Sequence, residues 1–296
     1  MSDAGSQLQT VDQLTVDQAD AVVRLSDKVA AADGVAGLSE RTLLGSSSPD
    51  RHHVLLGGAT SSIGYVQVWP EGAAELIVDP DRRRQGHGTV LWATAVAAGA
   101  QSVWAHGDLT EASAFAAQQG LHRVRELHRM ERPLTPVDAI APPVPDRFIV
   151  ETYASRRDPD ELLNLNARAF AHHAEQGNLT PEDLRARLES EWFDPAGLIY
   201  LIDGRAPSRS SPVAFHWTKR PVEQPQRGEV YVLGVDPAYQ GQGLAQPLTR
   251  LGLAHMASAG ARVVELYVDG DNEAALATYR RTGFDVVATD VVYALG

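Results

Sequence analysis

The chain has 296 residues, of which 44% are hydrophobic and 22% charged, a composition typical of a globular protein with room for two domains. Its net charge of −12 argues against nucleic acid as the main partner, and the complete absence of cysteine excludes disulfides, thiolate metal ligands and a cysteine nucleophile. No apolar run approaches the roughly 18 residues of a membrane span. The first residues also lack the basic and apolar blocks of a signal peptide, so we expect a cytoplasmic protein without a membrane partner.

The first half of the chain is predicted to begin with helix and to continue as a sheet with two further helices. Apolar residues recur at helical spacing between positions 10 and 45. Strands are predicted at 54–56, 64–68, 74–78 and 103–106, helices at 89–99 and 111–119, and a closing segment at 126–132. The stretch 133–145 is dense in proline and has no periodicity, which predicts a linker.

The second half repeats this plan. Strands are predicted at 148–153, 199–202, 213–217, 229–235, 263–268 and 284–295, and helices at 160–171, 181–192, 246–259 and 273–282. The pattern predicts an α/β (α+β) fold in which each half is a mixed, largely antiparallel sheet flanked by helices. We expect an N-terminal domain at 1–140, the end of the linker at 141–147 and a C-terminal domain at 148–296.

Two stretches of the chain have the same pattern, 157 positions apart. In each, an apolar strand and an Asp-Pro pair precede a glycine loop and a helix. The first loop is Arg83-Arg-Gln-Gly-His-Gly88 and the second is Gln240-Gly-Gln-Gly-Leu-Ala245, and Val78 matches Val235 without a gap. Such a loop presents backbone N–H groups and a helix N-terminus to an anion. Two copies in register therefore indicate a duplicated phosphate-binding domain.

This strand, loop and helix, together with Asn272-Glu-Ala-Ala-Leu-Ala-Thr-Tyr-Arg-Arg-Thr-Gly-Phe284, resembles the acyl-CoA site of the GNAT acetyltransferase superfamily. The resemblance implies two tandem GNAT acyl-CoA N-acyltransferase domains that use acetyl-CoA as co-substrate. In the second half it implies cofactor contacts at Leu233, Gly234, Val235, Gln240, Gly241, Gln242, Gly243, Leu244, Ala245, Gln246, Asn272, Glu273, Ala274, Ala275, Leu276 and Ala277. In the first half it implies contacts at Leu76, Ile77, Val78, Arg84, Gln85, Gly86, His87, Gly88 and Thr89.

The whole chain resembles a narrower group, the mycothiol synthase family, whose members carry two GNAT domains. The segments that carry this resemblance are 33–40, 170–177, 192–195, 215–219, 228–237 and 266–272. The resemblance implies transfer of the acetyl group of acetyl-CoA to the cysteinyl amine of cysteinyl-glucosaminyl-inositol, which is the final step of mycothiol biosynthesis. It also implies substrate contacts at Glu40, Glu175, Lys219, Glu229 and Tyr267.

Acetyl transfer to an amine requires a base and an acid. An α-amine with a pKa near 8 is largely protonated at neutral pH, so a carboxylate must remove its proton. We assign this role to Glu229 and assign protonation of the departing CoA thiolate to Tyr279. A backbone N–H near Val235 would stabilise the developing oxyanion.

The two halves differ at these positions. Gly72 stands in the first half where Glu229 stands in the second, and Ala116 stands where Tyr279 stands. Glu75 is close to Val78 and could replace the base, but no acid accompanies it. We therefore expect the N-terminal domain to be non-catalytic while possessing a cradle for acetyl-CoA.

Three alternatives remain open from the sequence. The chain could acetylate a different small-molecule amine, or it could be a CoA-binding protein without turnover. Glu229 and Tyr279 together argue against the second, because a binding protein needs neither. A nucleotide-binding regulator is less favoured, because neither loop ends in Gly-Lys-Ser/Thr. The adjacent histidine pairs lack metal-ligand spacing, so we expect no metal, and we expect a monomer.

Overall fold

The computed structural model describes residues 7–45, 50–58, 60–171, 174–177, 179–205 and 211–296. The chain forms two compact units, one of Met1–His128 with Ala288–Gly296 and one of Arg129–Val287. The boundaries between the units fall inside two long strands, so the last residues of the chain belong to the first unit. The domain boundary expected at residue 140 stays a prediction, because compactness does not test independent folding.

The described residues contain the following elements. The strands are β1 Leu8–Val11, β2 His52–Gly58, β3 Ser61–Val68, β4 Ala73–Val78, β5 Ser102–Ala105, β6 His122–Pro133, β7 Phe148–Thr152, β8 Leu198–Asp203, β9 Pro212–Lys219, β10 Arg227–Val235, β11 Val263–Asp269 and β12 Asp285–Ala294. The helices are α1 Val16–Asp33, α2 Glu40–Leu44, α3 His87–Ala97, α4 Thr110–Gln118, α5 Tyr153–Arg156, α6 Pro159–Ala169, α7 Ala174–Gly177, α8 Pro181–Leu188, α9 Ala245–Ser258 and α10 Glu273–Arg281. None of these helices is long and apolar enough to cross a membrane.

The first unit is a sheet in the order β1-β2-β3-β4-β5-β12. Its neighbouring strands pair antiparallel, except that β4 and β5 are parallel. The face that includes Tyr65 and Ile77 packs against α1 through Val22 and Leu25. The opposite face packs against α3 through Leu91, Trp92 and Ala95. Each helix buries an apolar stripe, and burial of apolar surface is what holds it on the sheet.

The second unit has the same plan, with its sheet in the order β11-β10-β9-β8-β7. The strand pairs are antiparallel except for β10 and β11, which are parallel. Helices α6 and α8 contribute Leu162, Leu165 and Leu184 to a core with Trp217 on one face of the sheet. Helix α9 contributes Leu248 and Leu251 to a core on the other face. The predicted mixed, largely antiparallel sheet flanked by helices is therefore present in each unit.

Two predicted elements were wrong in their extent. The helix expected at 10–45 is a strand to Val11, the helix α1 and a separate short helix α2, because Gly34 ends α1 in the left-handed conformation with φ of 72°. The helix expected at 181–192 ends at Leu188. The predicted linker also contains a 3₁₀ turn at Pro136–Ala139, stabilised by a capping box between Thr135 and Asp138.

Candidate active site

Strand β10 stops pairing with its parallel neighbour β11 before β10 itself ends. Among the described residues, pairing with β11 covers Arg227–Glu229, whereas β10 continues to Val235. The Asp236 N–H donates to the Val213 carbonyl on the β9 side. Since successive N–H groups of a strand point to opposite edges, the Val235 N–H points to the open edge beside β11. The predicted cofactor contacts Leu233, Gly234 and Val235 thus lie at the end of β10, where the Val235 N–H faces this open edge.

The first unit repeats this arrangement. The pairing of β4 with β5 covers Ala73–Glu75, and β4 continues to Val78. The Asp79 N–H donates to the Ile63 carbonyl, so the Val78 N–H also points to the open edge. The duplicated sequence pattern therefore corresponds to a duplicated open strand edge.

The loops that follow these strands have matching backbone conformations. Gly241 and Gly243 have φ of 73° and 75°, and the matched Arg84 and Gly86 have φ of 62° and 84°. A non-glycine residue in this left-handed region is strained by roughly 1–2 kcal/mol, so the conformation at Arg84 is imposed by the loop. A Cβ built on Gly86, Gly241 or Gly243 would have no atom within 4 Å, so open space faces each of these residues.

Both glycine loops lead into helix N-termini that have no side-chain cap. The N-cap residue is Gly86 in α3 and Leu244 in α9, and neither residue has a side-chain acceptor for a backbone N–H. The first N–H groups of a helix therefore remain available to a phosphate at both loops.

The first residue of each loop has a structural role. Arg83 Nε donates to the Val78 carbonyl at 3.3 Å, and Gln240 Nε2 donates to the Val235 carbonyl at 3.2 Å. Arg83 also forms two hydrogen bonds of 2.8 Å with the carboxylate of Asp33. The Arg/Gln position of the repeat thus ties the loop to the end of its strand.

Helix α10 begins at the cap Asn272, whose Oδ1 accepts the Ala275 N–H at 3.1 Å. The first residues of the predicted cofactor segment, Asn272–Ala274, are exposed, whereas the Leu276 side chain is buried in the core. Tyr279 is buried beside Phe284, with ring centroids 5.9 Å apart, and burial raises the pKa of its hydroxyl to about 12. The hydroxyl therefore keeps its proton at physiological pH.

Glu229, the predicted base, is largely buried and lies beside a lysine. Its side chain is only 16% exposed, and its carboxylate lies 3.3 Å from the ammonium of Lys219. Burial raises the pKa of Glu229, the Lys219 charge opposes that rise, and the neighbouring Glu265 adds to it. A carboxylate whose pKa is raised toward neutrality is better suited to accept a proton from an amine.

Glu229 also lines a cavity of about 160 Å³ within the second unit. The polar side chains that line this cavity with it are Asn166, Gln176, Asp183, Arg187 and Tyr231. Asn166 Nδ2 donates to the Gln176 carbonyl at 2.6 Å, and Arg187 Nε donates to the Tyr231 hydroxyl at 2.8 Å. A base at the wall of a polar cavity is an arrangement in which an amine acceptor can lose its proton.

Sequence reasoning did not identify these cavity residues. Asn166 stands at an otherwise apolar helix position next to Leu165, and buried polar residues at such positions are informative. Arg187 follows the buried Leu184 at the i+3 position of α8, so both occupy one side of that helix. Both signals were present in the sequence, but neither showed which strand the helices face.

The other predicted substrate residues have different surroundings. Tyr267 is 50% exposed and lies two residues after Glu265 on β11, hence on the same face of the strand. Glu40 is the exposed first residue of α2 in the first unit. Glu175 belongs to α7, and its side chain lies outside the described residues. Of the predicted substrate residues, the structure brings Lys219 and Glu229 into direct contact.

The first unit has no equivalent acid or base at the matched positions. Gly72 forms the turn before β4 with φ of 82°, and Ala116 is buried in the core. Glu75 is buried, and its carboxylate accepts the Ser39 N–H at 2.7 Å and contacts His106 Nε2 at 3.1 Å. These contacts hold the pKa of Glu75 below its usual range, which makes it a poor base.

His106 lies between two carboxylates. Its Nδ1 is 3.0 Å from Asp290, and its Nε2 contacts Glu75, so both ring nitrogens carry protons that the carboxylates accept. Despite burial, these two partners raise the pKa of His106 to about 10. A histidine in this arrangement is a structural cation of the first unit.

We expect His106→Gln to lower the unfolding free energy by about 3 kcal/mol near pH 6, because it leaves Glu75 buried without its cation. The folded-state pKa of His106 exceeds its unfolded value of roughly 6.5. Its contribution is therefore fully present below pH 6.5 and is lost as pH rises toward 10. Thermal unfolding midpoints across this range should show the variant approaching the parent at alkaline pH. The control His52→Gln, at an exposed ion pair with Asp12, should change little, and a pH-independent deficit at position 106 would contradict the assignment.

The described residues contain no cluster of three or more His, Cys, Asp or Glu residues that could hold a metal ion.

Comparison with known proteins gives a consistent result. The profile of the Acetyltransferase (GNAT) family matches residues 160–284. The chain is 42% identical to a mycothiol acetyltransferase of Kytococcus sedentarius and 43% identical to one of Nocardia farcinica, with 95% of each chain covered in both cases. A third, from Thermomonospora curvata, is 44% identical, again over 95% of both chains.

Solved structures support the same fold. A GCN5-related N-acetyltransferase from Sphaerobacter thermophilus matches with a TM-score of 0.74 and 22% identity, over 97% of this chain and 94% of that one. A tandem GNAT protein from the clavulanic acid biosynthesis pathway matches with a TM-score of 0.66 and 17% identity, over 97% and 98%. The predicted fold of two tandem GNAT domains is thus confirmed. The chain is more than 40% identical to the three mycothiol acetyltransferases over nearly its whole length. It therefore belongs to the mycothiol acetyltransferase family of GNAT acetyltransferases.

Proposed function

We propose that this enzyme transfers the acetyl group of acetyl-CoA to the cysteinyl amine of cysteinyl-glucosaminyl-inositol, the final step of mycothiol biosynthesis. The observation that carries the proposal is the similarity to mycothiol acetyltransferases over 95% of the chain. The geometry around Glu229 supports the chemistry. Acetyl-CoA as the co-substrate, a monomeric state and a cytoplasmic location belong to the same proposal.

The first step is deprotonation of the acceptor. The amine, with a pKa near 8, arrives mostly protonated, and Glu229 at the cavity wall accepts its proton. The cavity of about 160 Å³ is smaller than the roughly 300 Å³ of a typical small-molecule pocket, so it suits the amine end of the acceptor rather than the whole molecule.

The second step is attack of the neutral amine on the thioester carbonyl. Acetyl-CoA supplies the acetyl group, with pantetheine along the open edge at Leu233–Val235 and pyrophosphate at the Gln240–Gln246 loop. The Val235 N–H points to that open edge and can donate to the developing oxyanion. Gly234 is sterically required in this stretch, because a Cβ there would lie 2.6 Å from the Phe215 ring.

The third step is departure of the CoA thiolate. Tyr279 is protonated at the pH of the reaction because its pKa is about 12, and it donates this proton to the sulfur, forming CoA-SH. The acetylated amine is the other product. The nitrogen loses a second proton as the amide forms, and this proton replaces the one that Tyr279 gave to sulfur. The proton taken up by Glu229 is lost to solvent, which returns the site to its starting state.

The test is acetyl-CoA turnover with a panel of amines: the cysteinyl-glucosaminyl-inositol conjugate, free cysteine, spermidine and an aminoglycoside. Acetylated products are measured by mass spectrometry, because the thiol of the acceptor interferes with detection of released CoA. The conjugate is expected to be the preferred acceptor. Preference for a polyamine or an aminoglycoside would favour a GNAT enzyme for another amine, and cofactor binding without any turnover would favour a CoA-binding protein.

We further propose that the first unit binds acetyl-CoA without reacting. Its open strand edge and its Arg84–Thr89 loop match the second unit, whereas the acid and base positions do not. Gly86→Phe should remove one cofactor equivalent in calorimetry while turnover stays within a few fold, because the added ring fills the open space in front of the loop.

The matched control for this experiment is Gly243→Phe, which fills the equivalent space in front of the loop of the second unit and should abolish turnover. Circular dichroism would check that both variants keep their helices. If Gly86→Phe removed turnover from a folded protein, the first unit would have to take part in catalysis.

A further inference from the structure

The ammonium of Lys219 is directed at the candidate base by the strand register. Lys219 on β9 and Glu229 on β10 are direct partners in an antiparallel pair, so their side chains lie on the same face of the sheet. Lys219 Nζ lies 3.3 Å from Glu229 Oε2, and the two side chains are 29% and 16% exposed. The ion pair is therefore screened less by water than a surface pair would be.

Two aromatic rings hold the ammonium in place. Lys219 Nζ lies 5.6 Å from the ring centroid of Trp192 and 5.4 Å from that of Tyr231, which are cation–π distances. The two rings pack edge to face, with centroids 5.1 Å apart. The Tyr231 hydroxyl accepts a hydrogen bond from Arg187, which holds that ring in turn. Lys219 is thus ordered by its surroundings before any acceptor binds.

The other charged side chains near Glu229 have hydrogen-bond or ion-pair partners of their own. Glu265, its direct partner on β11, contacts Arg227 at 2.9 Å and Arg129 at 3.2 Å. On α8, Arg187 Nε donates to the Tyr231 hydroxyl, and the Asp183 carboxylate accepts the N–H and the hydroxyl of the cap Thr180. Among the described residues, Lys219 forms an ion pair with Glu229 and with no other carboxylate.

We propose that Lys219 is a positioning residue for acetyl transfer, whose ammonium keeps the Glu229 carboxylate ionised and disfavours a second cation beside it. The acceptor amine therefore gives up its proton where it meets Glu229. This inference depends on the proposed function, in which Glu229 is the base. It differs from the expectation, drawn from the family resemblance, that Lys219 contacts the acceptor itself.

The direction of the effect follows from the charges. Burial raises the pKa of Glu229, and the Lys219 charge opposes that rise. Removing the charge should raise the pKa of Glu229 further, and an opposite charge at this distance typically accounts for about one unit or more. The fraction of enzyme with an ionised base should then fall at acidic pH and stay unchanged at alkaline pH.

The experiment is the pH profile of kcat/KM for the parent, Lys219→Met and Lys219→Arg, with the conjugate and with free cysteine as acceptors. Lys219→Met should move the acidic limb up by about one pH unit with both acceptors. The loss should approach roughly tenfold at pH values below the limb and disappear at alkaline pH. Lys219→Arg keeps the positive charge, so its acidic limb should lie close to the pH of the parental limb. The amine pKa of each acceptor is the same for all variants, so a displacement between variants reports on the enzyme.

Three outcomes would overturn the inference. An unmoved limb with a higher KM for the conjugate alone would make Lys219 a contact for the sugar or the inositol. An equal loss at every pH in both variants would make its role structural. The third would be an unchanged pKa of Glu229 in Lys219→Met, measured by ¹³C NMR titration of the unliganded protein with the carboxyl signal assigned from Glu229→Gln. Undiminished turnover by Glu229→Gln would instead reject the base assignment of the proposed function, irrespective of the Lys219 results.

Discussion

The cysteinyl-glucosaminyl-inositol conjugate is expected to be acetylated with a kcat/KM about 10³-fold or more above that of free cysteine. Both acceptors present the same α-amine to Glu229, so the difference must come from the part of the acceptor that does not react. Polar groups that bind acceptor hydroxyls are left unpaired when those hydroxyls are missing, at a cost of about 1–3 kcal/mol each. Two or three lost partners therefore account for the expected ratio.

The measurement compares kcat/KM for the conjugate, for cysteinyl-glucosamine and for free cysteine under identical conditions. The compound without inositol should fall between the other two, since it keeps part of the hydroxyl groups. Equal efficiency with free cysteine would reject the assigned acceptor and leave the acetyltransferase activity untouched. A gap caused only by KM would show that the remote groups bind the ground state and the transition state alike.

Glu229→Gln and Tyr279→Phe are each expected to lower kcat by at least ~10²-fold, the low end for general acid–base groups. Glutamine keeps the size of the side chain at the cavity wall but cannot accept the amine proton. Phenylalanine keeps the ring that packs on Phe284 but has no proton for the leaving thiolate. The Kd of acetyl-CoA should change little, because neither side chain belongs to the loop that receives the pyrophosphate.

Matched controls are available for both variants. Glu223→Gln makes the same change at an exposed glutamate in the turn before β10, and Tyr293→Phe removes a hydroxyl from a buried tyrosine of the first unit. Both controls should keep near-parental turnover. Because the pKa of Tyr279 is about 12, any alkaline limb below about pH 11 should remain in Tyr279→Phe. Near-parental turnover in both active-site variants would reject the acid–base assignment.

The sequence by itself determined the repeat, and its glycines indicated part of the loop conformation. Left-handed backbone is a local property, so a glycine pattern such as that at Gly241 and Gly243 predicts its own geometry. The open strand edges were visible only in the structure, because the order of strand, loop and helix does not show where pairing with the next strand ends. The difference between the halves at Gly72 and Ala116, by contrast, was visible in the residue types alone.

The tertiary structure decided what each charged side chain contacts. In the sequence, Glu75 could replace the base, and only the fold shows that its carboxylate is bound by Ser39 and His106. The contact between Lys219 and Glu229 depends on a strand register that shifts by one residue at Tyr231. A shift of one residue changes which side chains share a face, and the composition of a single strand does not reveal it.

The walls of the cavity beside Glu229 were likewise not predictable from the sequence. Asn166 and Arg187 come from helices α6 and α8, which are distant in sequence from β10. Helical periodicity identified the apolar face of each helix, but it did not show which strand that face covers. Long-range packing makes that choice, because the burial of apolar side chains depends on all the elements together. The residues of the loops were therefore determined locally, and the walls of the site were determined by the packing of the whole unit.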